Sequence, residues 1–354
     1  MIDISFLKQL SDTFGPSGFE EEVVELIKQK CPGMECRTDG MNNLLVKPGD
    51  FIGNKPVLML DAHTDEIGFM VQHIKSNGLI EFVQLGSWMT SCLPAHSVLI
   101  RNYRGEYIKG VIHSKPPHFS DDNGESMLQN LTIDVGASSY DEVTNTLGIS
   151  AGDPAVPECS LIYNDKLGII RGKALDDRIG CFVAIEVLKR IASIDNLAID
   201  VVGAFSAQEE TDYRGAKVNA KNASPDLAVV LEAPPADDVY LDSFAAQAVL
   251  KKGVQIRHID NRAISSPKFL RFGIKTAEQN DIAYQRAVRK KGSTDAAVIH
   301  IADKAIPCLV LGVPTRYTHT HFSYSSVQDI ESAIDLVTAV VKSLQPEIIA
   351  ELTR

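Results

Sequence analysis

The sequence is dominated by short apolar runs that stop abruptly at polar side chains. Residues 57–60, read as Val-Leu-Met-Leu, lead into Asp61 and then into His63-Thr64-Asp65-Glu66. A short apolar run of this kind is typical of a buried strand, and open α/β sheets bind ligands beyond the carboxyl ends of their strands. This strand end is therefore predicted to carry chemistry, with His63 as a candidate metal ligand.

Alternating helical and extended patterns predict an α/β fold. Near the N-terminus, Phe6, Leu7 and Leu10 have helical spacing, and a second helix is predicted to start at Ser17, with Glu20 completing a capping box. Further along the chain the pattern predicts strands at 198–205, 227–231 and 306–311, helices at 177–194 and 267–279, and a final helix from Ser325 or Ser326.

A different pattern fills the stretch from about His73 to Asp165. Short β-like runs, such as 97–103 and 131–135, alternate there with turns, and helical periodicity is nearly absent. We therefore predict an α/β domain formed by residues 1–72 and 166–354, with a small β-rich domain inserted at 73–165. His113 and His118 of the insert are expected to be structural or surface residues.

Composition narrows the class of protein. The 354 residues are 44% hydrophobic, enough for one large core or two domains, and the net charge of -11 without a basic run argues against a nucleic-acid partner. The six cysteines lack any Cys-x-x-Cys pair, so buried free thiols are expected. No apolar run approaches the ~20 residues of a membrane helix, which predicts a cytoplasmic protein without a membrane span.

Four further polar clusters follow predicted strands or precede a predicted helix. They are Asp176-Asp177, Glu209-Glu210, Glu232 and His319-Thr320-His321. Each has an ordinary structural explanation: adjacent aspartates can cap a helix, strand-end carboxylates can be structural, and histidine-rich loops are often exposed. Taken together with His63, however, they offer two or more histidines and several carboxylates at the ends of different strands. That set suits a pair of divalent cations sharing a bridging carboxylate.

These residues carry a resemblance to the M42 family of dinuclear metal aminopeptidases. The resemblance extends over nearly the whole chain, from Leu7 to Tyr317. Its motifs are Phe14-Gly15-Pro16-Ser17-Gly18-Phe19-Glu20, Asp61-Ala62-His63-Thr64-Asp65-Glu66-Ile67-Gly68-Phe69, Ala174-Leu175-Asp176-Asp177-Arg178 and Glu209-Glu210. The resemblance implies that the α/β part is a mixed-sheet metallopeptidase catalytic domain and that the β-rich insert is PDZ-like.

The resemblance assigns a role to each candidate residue. Asp176 is expected to bridge two metal ions, with His63 and Glu232 completing one site and Glu210 and His319 the other. Glu209 is expected to be the general base, and Asp65 to orient the imidazole of His63. His319 is chosen over His321 because the family places its histidine two residues after the tyrosine of the Arg-Tyr pair. Asp177 is expected to shape the backbone beside the bridge.

The same resemblance implies the cofactors, substrate and assembly. It implies two divalent metal ions per subunit, zinc first, with cobalt or manganese as alternatives. A metal-bridged water would hydrolyse the N-terminal residue from short peptides, with no membrane or nucleic-acid partner. The family also implies a homo-oligomer built from dimers, often a dodecamer, with the insert as the dimerisation and assembly domain.

Three positions depart from the family pattern. Glu232 stands where aspartate is common, Asn42 where glycine is usual, and Ala95-His96-Ser97-Val98 replaces the common Gly-Gln-Arg-Val. The last change weakens expectations about assembly contacts more than those about catalysis. Neither the Gly292-Ser293-Thr294-Asp295 stretch nor Arg316 reveals the preferred N-terminal residue.

Two rival functions stay open at this point. The chain could be a catalytically silent peptide-binding or scaffold homologue, although every candidate position still holds a residue able to perform its role. It could also be a glycoside hydrolase, because paired carboxylates hydrolyse glycosides, but that chemistry gives no reason for His63 and His319.

Overall fold

The computed structural model describes residues 2–49, 51, 53–113 and 131–354. The described helices are α1 Ile4–Asp12, α2 Glu21–Lys30, α3 Leu175–Ile191, α4 Arg214–Ala223, α5 Pro267–Gln279, α6 Ala296–Ile299, α7 Val327–Ser343 and α8 Pro346–Leu352. None of them combines the length and apolarity that crossing a bilayer requires. His118 lies outside the described residues, and His113 is half-buried.

The described strands are numbered in chain order. They are β1 Glu35–Thr38, β2 Leu44–Lys47, β3 Val57–His63, β4 Gly68–Ile74, β5 Ile80–Leu85, β6 Ser97–Arg101, β7 Tyr107–Ile112, β8 Thr132–Asp134, β9 Pro154–Pro157, β10 Ile162–Asn164, β11 Ile169–Gly172, β12 Asp200–Ser206, β13 Leu227–Glu232, β14 Val254–Ile259, β15 Tyr284–Val288, β16 Cys308–Gly312, β17 Thr315–Arg316 and β18 Ser323–Ser326.

A large mixed sheet forms the centre of the fold, in the order β1-β2-β12-β3-β13-β16-β14-β15. Strands β12, β3, β13 and β16 are parallel neighbours, whereas β2 and β14 pair antiparallel at either side of them. Because parallel strands end at the same edge, the residues after β12, β3, β13 and β16 are brought together. The mixed α/β sheet predicted from the sequence is confirmed.

Alternation along β3 explains why helices cover both faces of this sheet. Leu58, Leu60 and Ala62 pack into the core formed with α1, α2, α3, α5 and α7, while Met59 packs into a second core with α4 and α6. Side chains of successive strand residues point to opposite faces, so a strand that is apolar throughout needs a hydrophobic layer on each side. The run of apolar residues that marked this strand in the sequence is a consequence of this burial.

The middle of the chain forms a separate small barrel. Its described strands close in the order β4-β5-β8-β7-β6-β9 around an apolar core that includes Phe69, Val98, Ile100, Ile112 and Ile133. The β-rich character predicted for this stretch is confirmed. Its likeness to a PDZ domain and the boundaries at 73 and 165 stay predictions; the first barrel strand already begins at Gly68.

Two local predictions were wrong. The second helix begins at Glu21 and Ser17 does not cap it; Ser17 donates its hydroxyl hydrogen bond to Asp65, 2.6 Å away, and Glu20 accepts from the Gly18 amide. Helix α7 is not the last helix, because α8 follows it and begins at Pro346. Both errors arose at segment ends, where capping patterns compete with tertiary contacts.

The described cysteines are all unpaired. Cys31, Cys181 and Cys308 are buried, but Cys36, Cys92 and Cys159 are partly exposed. The expectation of free thiols is confirmed, and full burial holds for half of them.

An aromatic stack joins the barrel to the α/β part. His321 is 2% exposed and lies against His96, with ring centroids 4.0 Å apart, and against Trp88 at 5.4 Å. Neither ring nitrogen of His321 has a hydrogen-bond partner among the described residues. Burial, together with the charge of His96, therefore lowers the pKa of His321 to about 3.

This lowered pKa predicts a specific loss of stability in acid. In the folded chain His321 stays neutral down to about pH 3, whereas in the unfolded chain its pKa is near 6.5. The free energy of unfolding is therefore unaffected by this histidine above pH 6.5 and decreases as the pH falls towards 3. In chelator-treated protein, the free energy of unfolding should fall by about 2 kcal/mol more in the wild type than in His321→Phe between about pH 7.5 and about pH 5. Urea unfolding at both pH values measures this difference, and equal pH dependence in the two proteins would refute it.

Candidate metal centre

Polar residues at the carboxyl ends of three strands of the large sheet converge with one residue of a loop outside it. His63 ends β3, Glu209 and Glu210 follow β12, Glu232 ends β13, and His319 lies in the loop after β17. Asp176 reaches the same point from the start of α3, whose first residues have non-helical backbone angles. The structure thus brings together residues separated by up to 256 positions, as 319 minus 63 shows.

Asp176 lies between the two histidines. Its Oδ1 is 3.2 Å from Nε2 of His63, and its Oδ2 is 3.6 Å from Nε2 of His319. Each histidine also faces a glutamate: Nε2 of His63 is 3.8 Å from Glu232, and Nε2 of His319 is 3.6 Å from Glu210. The result is two groups of three ligand-type side chains that share one carboxylate.

The ligand atoms in these groups are close enough to surround an ion. Those of His63, Asp176 and Glu232 lie within 4.8 Å of one another, as do those of Asp176, Glu210 and His319. The atoms of His63, Glu209 and Glu210 satisfy the same limit, so geometry alone leaves two possible roles for Glu209. Imidazole nitrogen and carboxylate oxygen are the donors that zinc and similar divalent ions accept.

Main-chain carbonyl groups determine which nitrogen each histidine presents. Nδ1 of His63 is 3.1 Å from the carbonyl oxygen of Asp65, and Nδ1 of His319 is 2.7 Å from that of Ser87. A carbonyl only accepts, so each Nδ1 carries the hydrogen and, in the neutral ring, Nε2 is left with a free lone pair. Both Nε2 atoms face carboxylates, and once Nε2 gives up its proton the ring is the tautomer that metal ligation requires.

The electrostatics of the centre favour a cation. Burial raises the pKa of Glu209 and of Glu232 well above the usual value, and neighbouring carboxylates add to the rise. Burial also raises the pKa of Glu210 to about 7, although His319 opposes this. Conversely, burial disfavours charging His319, but Asp176 and Glu210 raise its pKa to about 10. Divalent cations would offset the same negative charge, so this donor set fits them.

The two histidines of the His319-Thr320-His321 segment have different surroundings. His319 faces Asp176 and Glu210, while His321 lies in the aromatic stack with His96 and Trp88. Asp177 is in none of the three candidate ligand groups of the described residues, and it accepts a hydrogen bond from the Gly180 amide at 3.0 Å, as a helix cap does. The capping explanation considered for the aspartate pair thus applies to Asp177.

The Asp65 carboxylate accepts hydrogen bonds from main-chain amides of the centre. Its Oδ1 accepts from the Glu209 amide at 2.9 Å, and its Oδ2 accepts from the Glu210 amide at 3.1 Å and from the Ser17 hydroxyl at 2.6 Å. The carboxylate is also 3.4 Å from Nδ1 of His63. Although burial favours the neutral acid, His63 and these donors lower the pKa of Asp65. Its carboxylate therefore fixes two glutamates as well as one histidine.

Glu66 does not join the cluster, although it belongs to the same strand-end motif. It pairs with Lys173 at 2.5 Å, and both side chains are almost fully buried. Arg178 approaches the same carboxylate at 3.6 Å. Such buried pairs hold segments in place, and here they connect the end of β3 to the segment that leads into Asp176.

A cavity of about 1420 Å³ opens onto the metal-ligand cluster. Asp176, Glu209, Glu210, Glu232 and His319 line its floor. Its walls carry several cationic side chains, namely Arg171, Arg257, Arg262, Arg289, Lys290 and Lys291. Asp260, Asp212 and Asp237 pair with three of the arginines, but Arg171 and the two lysines have no carboxylate partner among the described residues. The cavity therefore has an acidic floor and a basic wall.

Sequence reasoning missed two contributors to this site. Ser17 was interpreted as a helix cap, and Ser87 contributes only a carbonyl oxygen, which no sequence pattern signals. Arg316, considered as a possible substrate contact, pairs with both oxygens of Asp238 at 2.7 and 2.9 Å. Three consecutive basic residues, Arg289, Lys290 and Lys291, are too few for a basic run of the nucleic-acid-binding kind, but they are the sequence sign of this wall.

Known proteins resemble this chain over nearly its whole length. The glutamyl aminopeptidase of Lactococcus lactis subsp. cremoris (strain MG1363) is 30% identical, with 98% of each chain covered. The TET aminopeptidase from the marine sediment archaeon Thaumarchaeota archaeon SCGC AB-539-E09 superposes with a TM-score of 0.93 at 33% identity, covering 99% of this chain and 98% of that one.

A further solved structure is the TET1 peptidase of Pyrococcus horikoshii, which can assemble into a tetrahedron or a large octahedral shell. Its TM-score is 0.86 at 29% identity, with 96% of this chain and 99% of that one covered. The model of the M42 glutamyl aminopeptidase family matches residues 42–336, which include every candidate ligand. The chain therefore belongs to the M42 glutamyl aminopeptidase family.

Proposed function

We propose that this chain is a dinuclear metal-dependent aminopeptidase that removes the N-terminal residue from short peptides. The observation that carries the proposal is the Asp176 carboxylate, whose two oxygens face the two histidines, each of which has a glutamate beside it. The name of the Lactococcus lactis relative agrees with this activity. A scaffold protein would not need these ionisable groups buried together at a cavity floor.

Five side chains would hold the two ions. His63, Asp176 and Glu232 would form one site, and Asp176, Glu210 and His319 the other, with zinc, cobalt and manganese all suited to these donors. When bound, such a pair supplies Lewis acidity that polarises the peptide carbonyl and acidifies water. Glu232 has a longer arm than the aspartate that is common in the family, and it still reaches within 3.8 Å of His63.

Glu209 is assigned the proton transfers. It is 8% exposed, lines the cavity, and its carboxylate lies 3.9 Å from Nε2 of His63. Because burial raises its pKa well above the usual value, it is a stronger base than an exposed glutamate. Glu209 would take a proton from the water that attacks the first peptide carbonyl, and would then give that proton to the departing amine.

The charge pattern of the cavity suits the two ends of a short peptide. The acidic floor attracts the free α-amino group, and the unpaired cations Arg171, Lys290 and Lys291 attract a carboxylate further out. A free peptide carries both charges, so this pattern favours entry with the N-terminus towards Glu209. This charge pattern concerns the two ends of the peptide and not its N-terminal side chain.

The glycosidase alternative fits the geometry less well. A retaining glycosidase holds two carboxyl groups about 5–5.5 Å apart, and an inverting one holds them further apart, on opposite sides of a sugar bond. Here several carboxylates converge with histidines within 4.8 Å. This packing suits ligation of ions more than flanking of a substrate bond.

We also propose that the chain forms a homo-oligomer built from dimers, and that it acts in the cytoplasm. The proposal of assembly rests on the likeness to the TET1 peptidase and on an exposed apolar loop that includes Tyr240, Leu241 and the fully exposed Phe244. Exposed apolar side chains of this kind are typical of contacts between subunits. Light scattering on purified protein gives the particle mass, and the mass of a single chain would argue against assembly.

Peptide hydrolysis with and without metal tests the function directly. Chelator-treated protein, alone or with zinc, cobalt or manganese, should release the N-terminal residue of free short peptides only when metal is present. N-acetylated peptides should resist cleavage, and C-terminally amidated ones should be cut more weakly than free peptides because they lack the outer carboxylate. If no peptide is cut while the protein binds two ions, the scaffold hypothesis is favoured; cleavage of a glucan instead would favour the glycosidase.

Replacing the proposed base separates catalysis from metal binding. Glu209→Gln should keep both metal ions but lose about 10²–10⁴-fold in kcat, because the amide cannot accept the proton. Metal analysis and steady-state kinetics on the same preparation measure both quantities. Loss of an ion in this variant would instead assign Glu209 to the ligands, and full activity would remove it from the mechanism.

The histidine variants provide the contrast for this experiment. His63→Ala and His319→Ala should each lose affinity for one ion, since each removes a ligand of a different proposed site. Unchanged binding of two ions in both variants would refute the ligand assignment whatever the activity shows.

A further inference from the structure

The loop between α1 and α2 crosses the ends of two strands that carry the metal centre. The Gly15 carbonyl accepts a hydrogen bond from the Glu66 amide at 3.0 Å, which ties the loop to the segment after β3. The Glu20 carboxylate accepts from the Gln208 amide at 3.2 Å, which ties it to the segment after β12. The loop thus connects two segments that are far apart in sequence.

Ser17 is the loop residue that contacts the functional cluster. Its hydroxyl donates to Oδ2 of Asp65 at 2.6 Å, and the same carboxylate accepts from the Glu209 and Glu210 amides. Ser17 is 5% exposed and Asp65 is 0% exposed, so water does not replace this donor readily. The hydroxyl is the contact by which the loop acts on the orientation of the Asp65 carboxylate.

The orientation of this carboxylate matters because the two glutamates have different destinations. Glu209 reaches towards His63, and Glu210 reaches towards His319, although they are adjacent in the chain. Asp65 fixes the amide groups of Glu209 and Glu210, and the orientation of these amides directs one side chain towards His63 and the other towards His319. A small rotation of the carboxylate would therefore displace both, and misplacement by a fraction of an ångström lowers catalytic rates.

We propose that Ser17 is a positioning residue, which holds the Asp65 carboxylate and through it the Glu209-Glu210 peptide in the geometry needed for proton transfer. Ser17 itself lies outside the cavity lining and does not touch substrate. The proposal rests on the proposed function of Glu209 for its effect on rate, whereas its structural effect is independent of any activity.

The test compares Ser17→Ala with a matched variant, Ser265→Ala. Ser265 is 4% exposed and donates a hydrogen bond of the same 2.6 Å length, to the Arg257 carbonyl, but it does not contact Asp65. Both variants lose one buried hydroxyl, and Ser17→Ala should lose somewhat more stability because its hydroxyl donates to a carboxylate. Differences between them therefore report the Asp65 contact and not the general cost of the substitution.

Two measurements are made on each protein. In Ser17→Ala, kcat should fall about tenfold with KM changed by less than about twofold, because Ser17 acts through Asp65 and Glu209 on proton transfer and not on peptide binding. Hydrogen exchange of the 207–213 segment, measured in chelator-treated and in metal-loaded protein, should become faster. In Ser265→Ala, both kcat and exchange of this segment should match the wild type.

The outcomes distinguish failure of this inference from failure of the proposed function. Unchanged exchange at 207–213 in Ser17→Ala would overturn the positioning role, and so would equal losses of kcat in the two variants. If the wild type cuts no peptide but exchange still accelerates in Ser17→Ala alone, the contact holds the segment and the peptidase assignment is what fails.

Discussion

The crowding of buried carboxylates around two imidazoles is the constraint on which the rest of this structure depends. Like charges at separations below 5 Å repel strongly where water is scarce. Behind the cluster, burial raises the pKa of Asp177 and of Asp295 well above the usual value, and raises that of Asp61 to about 6. Burial biases these acids, like Glu209 and Glu232, towards the neutral form, whereas the histidines keep Asp176 and Asp65 ionised.

Rigid supports are needed to hold such a cluster, and the chain provides them mostly from main-chain groups. Carbonyl oxygens orient both histidines, and the Asp65 carboxylate holds the amides of Glu209 and Glu210. Main-chain groups have little freedom to move once their strands are paired. The ligands are therefore held by groups just after β3 and by the Ser87 carbonyl of the barrel, and the buried Lys173–Glu66 pair adds a connection to the segment leading into Asp176.

Much of the fold and of the cluster could be predicted because both depend on local patterns. An apolar run that ends in His63 or in Glu209-Glu210 marks a strand and its carboxyl end at once, and parallel pairing then brings such ends together. The role of Ser17 could not be predicted, because a serine followed three residues later by glutamate also fits a capping box. The sequence contains both possibilities, and only the long-range contact with Asp65 decides between them.

Contacts between the barrel and the α/β part were invisible for a related reason. The carbonyl of Ser87, in the connection between β5 and β6, fixes His319, and His96 of the same connection stacks on His321 two residues further along that loop. A carbonyl has no sequence signature, and a stack between residues more than 200 positions apart has no periodicity. These contacts mean that the inserted barrel supports a candidate metal ligand directly. A role in assembly alone therefore does not account for the insert, since displacing its β5–β6 connection would also release the imidazole of His319.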